Sequence, residues 1–314
     1  MSADQSPLAS AFSPVAVVGC GLIGAGWAAL FMAAGLEVRP FDPVPERLAD
    51  LTERCTRLQA AIAELQPIRS GQLVITRSLE EAVGQARLVQ ENAPERLATK
   101  RSLISEIEAA TDVSTIIASS TSALLWSALS EGMCHPERLI LAHPFNPVHL
   151  IPLVELFTPE PELLERAHRF YTSVGKRPVR LAKESEGHVA GRLAAALWRE
   201  AVHLAANGVA TVAEIDKALV DGPGLRWAVQ GAHQTYHTGG GPGGLADYLT
   251  HLGPSQEHRW TTLGTPSLDA STCQLLIDGV AAETEGQSIA ELEAARDAKL
   301  IAILRARHAG RQRS

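Results

Sequence analysis

A small set of residues in this chain is suited to moving a proton. His143 follows the apolar run Leu139-Ile-Leu-Ala142 and precedes Pro144, Phe145 and Asn146. Glu155 ends a second apolar run, Ile151-Pro-Leu-Val154. A third run, Ile116-Ile-Ala118, ends in four hydroxyls, Ser119-Ser-Thr-Ser122. A neutral imidazole takes a hydroxyl proton near neutral pH, and a carboxylate can orient the ring and stabilise the imidazolium. Hydroxyl and amide donors can hold the oxygen that loses the proton. Together these groups suit oxidation of a secondary alcohol, provided that something else accepts hydrogen from carbon. A histidine that merely follows a strand is more often structural, so the set needs further support.

The glycines supply that support. Val15-Ala-Val-Val18 leads into Gly19-Cys-Gly21-Leu22-Ile23-Gly24, with the spacing G-x-G-x-x-G, and a helix-like segment follows. Asp42 lies at the end of the next apolar segment, Leu36 to Phe41. Strand, glycine turn, helix and trailing acid form the dinucleotide fingerprint in its expected context. Gly19 allows the tight turn, Gly21 lets backbone approach a pyrophosphate, and Gly24 lets helix and strand pack closely. The helix N-terminus, where Leu22 and Ile23 lie, offers free N–H groups and positive dipole. Asp42 can accept hydrogen bonds from both ribose hydroxyls and would repel a 2′-phosphate, so NAD is expected rather than NADP. Arg39 and Arg47 lie nearby and act in the opposite sense.

Composition excludes several alternatives. A net charge of −7 over 314 residues, without a basic cluster interleaved with aromatics, argues against nucleic acid. The Arg305–Arg313 tail is short, terminal and reads as a solvated helix end. Cys20, Cys55, Cys134 and Cys273 are scattered, which predicts reduced thiols in a cytoplasmic protein. No membrane association is expected, because the longest apolar run, Trp27 to Leu36, is too short to span a bilayer. Near the N-terminus, Asp4 and the lack of a basic segment argue against a signal peptide.

The elements that must position these residues follow a pattern. Strands are predicted at Val15–Val18, Glu37–Phe41, Leu73–Thr76, Leu88–Glu91, Thr115–Ser119, Leu139–Ala142 and Val179–Leu181. Helical stretches between them, including Pro45 to Leu65, predict a Rossmann-type α/β fold with a doubly wound parallel sheet. After Glu184 the strand signals stop, and Val189 to Asn207 and Ile289 to Arg307 have helical character. The expected organisation is a loose N-terminal arm over residues 1–13, an NAD-binding domain over 14–184 and an all-helical domain over 185–314. Glycine runs break the second half, so pairing with a second copy is expected to cover it, as a homodimer.

Five motifs in order then carry a family resemblance. They are Gly19–Gly24, Glu91-Asn-Ala-Pro-Glu95, Ser119-Ser-Thr-Ser122, His143-Pro-Phe-Asn146-Pro and Pro152-Leu-Val-Glu155. With them the chain, from about Pro14 onward, resembles the L-3-hydroxyacyl-CoA dehydrogenase superfamily. Within it, the chain is most similar to the branch that acts on small free hydroxy acids. That branch holds carnitine dehydrogenases, gulonate dehydrogenases and lambda-crystallins. Ala196-Leu-Trp198-Arg-Glu, Asn207-Gly-Val-Ala-Thr211 and Gly224-Leu-Arg-Trp227 extend the likeness into the second half. The resemblance implies that His143 is the general base, Glu155 its partner, Ser122 a donor to the substrate oxygen and Asn146 a holder of the reacting group. It places Glu95 and Lys100 by the cofactor ribose and Ser120 near the nicotinamide.

The chain departs from the thioester-acting members, which carry Gly-Phe-x-x-Asn-Arg at the start of the helical domain. Here the segment is Gly187-His188-Val-Ala-Gly191-Arg192. The expected reaction is therefore NAD-dependent oxidation of a small L-3-hydroxy acid, with L-carnitine to 3-dehydrocarnitine as the leading candidate. A 3-hydroxyacyl-CoA or L-gulonate-type substrate is the alternative, and a non-catalytic crystallin-like NAD-binding protein is an alternative of another class. A quaternary ammonium is held by aromatic faces, because it donates no conventional hydrogen bond. With only 4% aromatic residues overall, Trp227, Tyr236 and Trp260 in the second half are the candidate cage. Arg192 is a candidate partner for the substrate carboxylate.

Overall fold

The computed structural model describes residues 9–311. Alternate residues along its strands enter two separate cores. Val15, Val17, Leu88, Ile116, Ala118, Ile140 and Ala142 belong to one buried cluster, whereas Ala16, Val18, Val89, Ile117, Leu139 and Leu141 belong to the other. Strands that are apolar on both faces require a sheet covered by helices on both sides.

The sheet has eight strands: β1 (Val15–Val18), β2 (Glu37–Phe41), β3 (Gln72–Leu73), β4 (Leu88–Glu91), β5 (Ile116–Ser119), β6 (Leu139–Pro144), β7 (Leu153–Phe157) and β8 (Arg177–Arg180). Their spatial order is β3-β2-β1-β4-β5-β6-β7-β8. Neighbours from β3 to β6 pair in parallel, β7 pairs antiparallel with β6, and β8 pairs parallel with β7. The chain winds outward from β1 to β3 and returns beside β1 as β4. That reversal opens a crevice at the strand C-termini, where dinucleotides bind in such sheets.

Several strands differ from the sequence expectation. Leu153–Phe157 was not expected, because a proline precedes it and a carboxylate interrupts it; burial of Val154 and Leu156 against the sheet outweighs both. The Leu73–Thr76 run contributes only Gln72–Leu73, and the last strand sits at Arg177–Arg180 rather than Val179–Leu181. β6 also runs two residues further than expected, so His143 lies within a strand.

Helix α1 (Leu22–Ala33) buries nine of its twelve residues, consistent with its nearly uniform apolar sequence. The 45–65 segment is divided at Asp50, and its longer part is α2 (Leu51–Ala63). Helices α3 (Leu97–Ala110) and α4 (Pro161–Ser173) complete the longer helices of this region. Residues 1–8 of the expected arm lie outside the described residues. The remainder is not loose: Ala9 is buried and the Phe12 ring lies 4.9 Å from that of Phe170.

The chain divides into two compact units, Met1–Gly191 and Arg192–Ser314. Helix α5 (Ala190–Ala206) begins at that junction, and Gly208 follows it at φ +65°. The second unit is helical, with α6 (Val212–Asp221), α7 (Pro223–Trp227), α8 (Ala232–Gly239), α9 (Gly244–Thr261), α10 (Ala270–Thr284) and α11 (Ile289–Arg311). The Thr211 hydroxyl caps α6 by accepting from Glu214 N–H. Among the described residues, no helix is long and apolar enough to cross a membrane.

Candidate active site

The glycine turn explains itself sterically. Gly19 adopts φ +89°, and a Cβ there would meet the Asn92 carbonyl oxygen at 2.7 Å. A Cβ on Gly24 would lie 1.8 Å from the Gly19 oxygen. At Gly21, by contrast, nothing lies within 4 Å of a built Cβ. The first and third glycines thus serve the fold, while the second leaves an open cradle at the N-terminus of α1. That cradle fits a pyrophosphate.

Asp42 directly follows β2 and is buried. Its carboxylate accepts from Cys20 N–H at 2.7 Å and Val44 N–H at 2.9 Å, and Arg47 lies 3.5 Å away. Oδ2 accepts from both Cys20 and Arg47, whereas Oδ1 retains a further lone pair for a ribose hydroxyl. Arg54 of α2 donates to the Cys20 and Gly21 carbonyls at 3.1 and 3.0 Å, pinning the glycine loop from below. Nothing in the sequence singled out Arg54, because its partners are backbone atoms remote in the chain.

Past β4 lies a buried ion pair. Lys100 is 1% exposed, and its ammonium reaches Glu91 at 2.8 and 3.0 Å and Glu95 at 3.6 Å. Glu91 also accepts from Ala93 N–H and the Ser119 hydroxyl. These bonds offset the desolvation that would otherwise make a buried pair unfavourable. Glu95 Oε1 accepts from the Thr121 hydroxyl and from the N–H groups of Ser122 and Ala123. Burial opposes ionisation of Glu95, but the Thr121 hydroxyl, the Lys100 ammonium and these N–H groups outweigh it and hold the carboxyl below the usual range. Lys100 and Glu95 therefore order the hydroxyl loop in this structure, a role that the sequence did not suggest.

Ser120 is also committed. Its hydroxyl accepts from Trp27 Nε1 at 3.1 Å and Gln90 Nε2 at 2.9 Å, and donates to Asn92 Oδ1 at 2.7 Å. Gln90 in turn accepts from the buried Tyr171 hydroxyl. With its one proton spent, Ser120 has no donor left for a nicotinamide amide. It ties α1, β4 and β5 together at the crevice. Trp27, Gln90 and Tyr171 are members of this network that sequence reasoning missed, since each reads as ordinary core.

The proton site is built on two antiparallel strands. His143 of β6 and Glu155 of β7 are direct register partners, with Nδ1 and Oε2 2.9 Å apart. Glu155 is 2% exposed, and its other oxygen accepts from Val189 and Ala190 N–H at 2.9 Å each, at the start of α5. Burial would raise the Glu155 carboxyl, but the His143 hydrogen bond and the Ala190 and Val189 N–H groups outweigh it and hold it below the usual carboxylate range. With Glu155 ionised, Nδ1–H donates to it, and in the neutral ring the lone pair then sits on Nε2. Ser122 and Asn146 are exposed beside their buried neighbours Thr121 and Pro147. His188 is 1% exposed, and its Nε2–H donates to the Thr121 carbonyl at 3.0 Å. Burial pushes its ionisation below the usual histidine value, so it stands neutral.

The remaining expected residues lie in the second unit. Arg192 is exposed on α5. Trp227, Tyr236 and Trp260 keep 43%, 41% and 65% of their surfaces exposed, so core packing does not account for them. The Tyr236 ring is tilted against that of Tyr248 at 5.0 Å.

Comparison with known proteins accords with this geometry. The family model for the 3-hydroxyacyl-CoA dehydrogenase NAD binding domain matches residues 14–185, and that for the C-terminal domain matches 187–264. An L-carnitine dehydrogenase from Streptomyces griseus is 44% identical over 298 residues, covering 93% of this chain and 89% of the relative. One from a Pseudomonas species is 43% identical over 307 residues, covering 96% and 95%. Among solved structures, 5-formyl-3-hydroxy-2-methylpyridine 4-carboxylic acid 5-dehydrogenase, an NAD+ dependent dismutase, superposes with a TM-score of 0.78 at 26% identity, covering 94% of this chain and 98% of its own. The Escherichia coli 3-hydroxybutyryl-CoA dehydrogenase gives a TM-score of 0.58 at 28% identity, covering 68% of this chain and 47% of its own.

Proposed function

Because this chain belongs to the 3-hydroxyacyl-CoA dehydrogenase family and is an NAD-dependent oxidoreductase of hydroxy acids, we propose that its substrate is L-carnitine, oxidised to 3-dehydrocarnitine, with His143 as the general base. The observation that carries the chemical part is the His143–Glu155 pair, whose 2.9 Å Nδ1–Oε2 contact suits a neutral ring with its lone pair on Nε2. Bound NAD supplies the acceptor for the carbinol hydrogen. His143 takes the hydroxyl proton, and Glu155 stabilises the resulting imidazolium through Nδ1–H. The Ser122 hydroxyl, which donates to Glu95 Oε1 at 3.4 Å, turns from that long contact to donate to the substrate oxygen, and Asn146 holds the reacting group. Gly21 and the α1 N-terminus hold the pyrophosphate, and Asp42 holds the adenosine ribose.

Identity of 40–44% to several L-carnitine dehydrogenases supports the substrate assignment. The exposed faces of Trp227, Tyr236 and Trp260 suit a trimethylammonium group, and Arg192 suits its carboxylate. Leu193, Leu197 and Trp198 are 66%, 38% and 56% exposed on α5, which favours a homodimer. NAD chemistry and four unpaired thiols favour the cytoplasm.

The test is NADH formation from L-carnitine, D-carnitine and 3-hydroxybutyryl-CoA, each with wild type and His143→Gln. Wild type is expected to use L-carnitine alone, and His143→Gln to bind NADH normally while losing two to four decades of rate, roughly the span of a general base. Turnover confined to the thioester would reassign the substrate, and full turnover by His143→Gln would remove the base.

A further inference from the structure

The turn from Gly187 to Ala190 touches both parts of the proton site. Its N–H groups at Val189 and Ala190 hold Glu155, the partner of His143. Its side chain at His188 holds the Thr121 carbonyl, one residue before Ser122. The His188 ring centroid lies 5.1 Å from that of His143. On its other side, the 121–123 loop is tied to Glu95 through the Thr121 hydroxyl and two N–H groups. His188 reaches this place at φ +51°, in the left-handed region, and such strain persists only where surrounding contacts enforce it.

We propose that His188 is a positioning residue, which fixes the Ser122 loop at a set distance from the His143 ring so that the substrate oxygen is held in line with the base. This rests on the assignment of His143 as the base. The Nε2–H of His188 is the working atom, because Thr121 is fully buried and its carbonyl needs a donor. Being neutral, His188 adds no second cation beside the imidazolium that forms on His143. A phenylalanine would fill the same space and supply no N–H. A glutamine places an amide N–H near the position of Nε2, whereas an asparagine is too short to reach it.

The experiment compares His188→Phe, His188→Gln and His188→Asn with wild type and His143→Gln, by steady-state kinetics on the best hydroxy acid substrate, NADH fluorescence titration and thermal melting. His188→Phe should lower kcat about 10- to 100-fold, the scale of an ångström-level misplacement, with NADH affinity within about twofold. His188→Gln should recover most of that loss and exceed His188→Asn. Wild-type kcat in His188→Phe, or equal rates for the Gln and Asn variants, would overturn the proposal. Should His188→Phe fail to fold, the comparison of Gln with Asn decides alone. Full turnover by His143→Gln would remove the base and this role together. An inactive His143→Gln beside a fully active His188→Phe would strike only the role of His188.

Discussion

Replacing Glu155 by glutamine is the sharpest perturbation of the proton site, since it removes a charge and changes almost no volume. Two backbone N–H groups point at one Glu155 oxygen from 2.9 Å, so the amide oxygen of a glutamine takes that side. Its NH2 group then faces His143 Nδ1, where the carboxylate accepts a hydrogen bond at 2.9 Å. Two donors cannot share that contact. Nδ1 must present its lone pair, and the proton moves to Nε2, where the substrate needs a base. Turning the amide over restores the tautomer but forfeits the bonds to Val189 and Ala190, at about 0.5–1.5 kcal/mol each. Either arrangement also loses the charge-assisted bond that stabilises the imidazolium, about 1.5–3 kcal/mol. For the turned amide the sum, roughly 2.5–6 kcal/mol, corresponds to about two to four decades in rate at 1.36 kcal/mol per decade. Initial rates of NADH appearance should show that loss in kcat, with NADH affinity measured by fluorescence unchanged. A Glu155→Gln enzyme within about threefold of wild type would refute the coupling of Glu155 to His143.

Two further perturbations address the cofactor end and the buried lysine. Gly21→Ala has room for its methyl group and should melt like wild type while losing NADH affinity, whereas Gly24→Ala would press 1.8 Å from the Gly19 oxygen and should lose the fold of the loop itself; melting and NADH titration of both variants separate the two effects. Lys176 is fully buried over the Trp27 ring and donates to the Val148 and Ile151 carbonyls, and burial pushes its ammonium down to about 7 from the usual 10.5. Between those values the unfolded chain binds more protons than the folded one, so its contribution to stability rises with pH across that window and is lost as pH falls through about 7. Urea midpoints at pH 7 and 9.5 should therefore diverge for wild type and converge for Lys176→Met.

The parts of this fold written in local pattern were legible in the sequence. The glycine turn, the double-faced apolar strands and the helical second half each follow from residues close together in the chain. β7 escaped notice because its stability comes from a neighbour strand, β6, and local propensity around Pro152 argues against it. The partnership of His143 and Glu155 was read from their chemistry at two apolar runs and from family motifs, and spacing alone would not have required it. Ser120, Glu95 and Lys100 show the opposite limit. Their residue types suit contacts with a cofactor, yet Ser120, Lys100 and Oε1 of Glu95 are held by Trp27, Gln90, Asn92, Glu91 and the hydroxyl loop, partners that no sequence pattern brings together, while Oε2 of Glu95 stays open on a side chain 37% exposed.

The pairing of β6 with β7 protects the distance between imidazole and carboxylate from accidents elsewhere in the chain. His143 and Glu155 face each other across the ladder, flanked by Ala142 opposite Leu156 and Pro144 opposite Val154. Side chains alternate along a strand, so a slip of one residue would drive the carboxylate into hydrocarbon and expel Val154 and Leu156, both fully buried, towards the crevice. Oil and water thus act as proofreaders of the spacing between imidazole and carboxylate. The connection between the two strands is held as well, with Val148 and Leu150 buried and the Val148 and Ile151 carbonyls bound by Lys176.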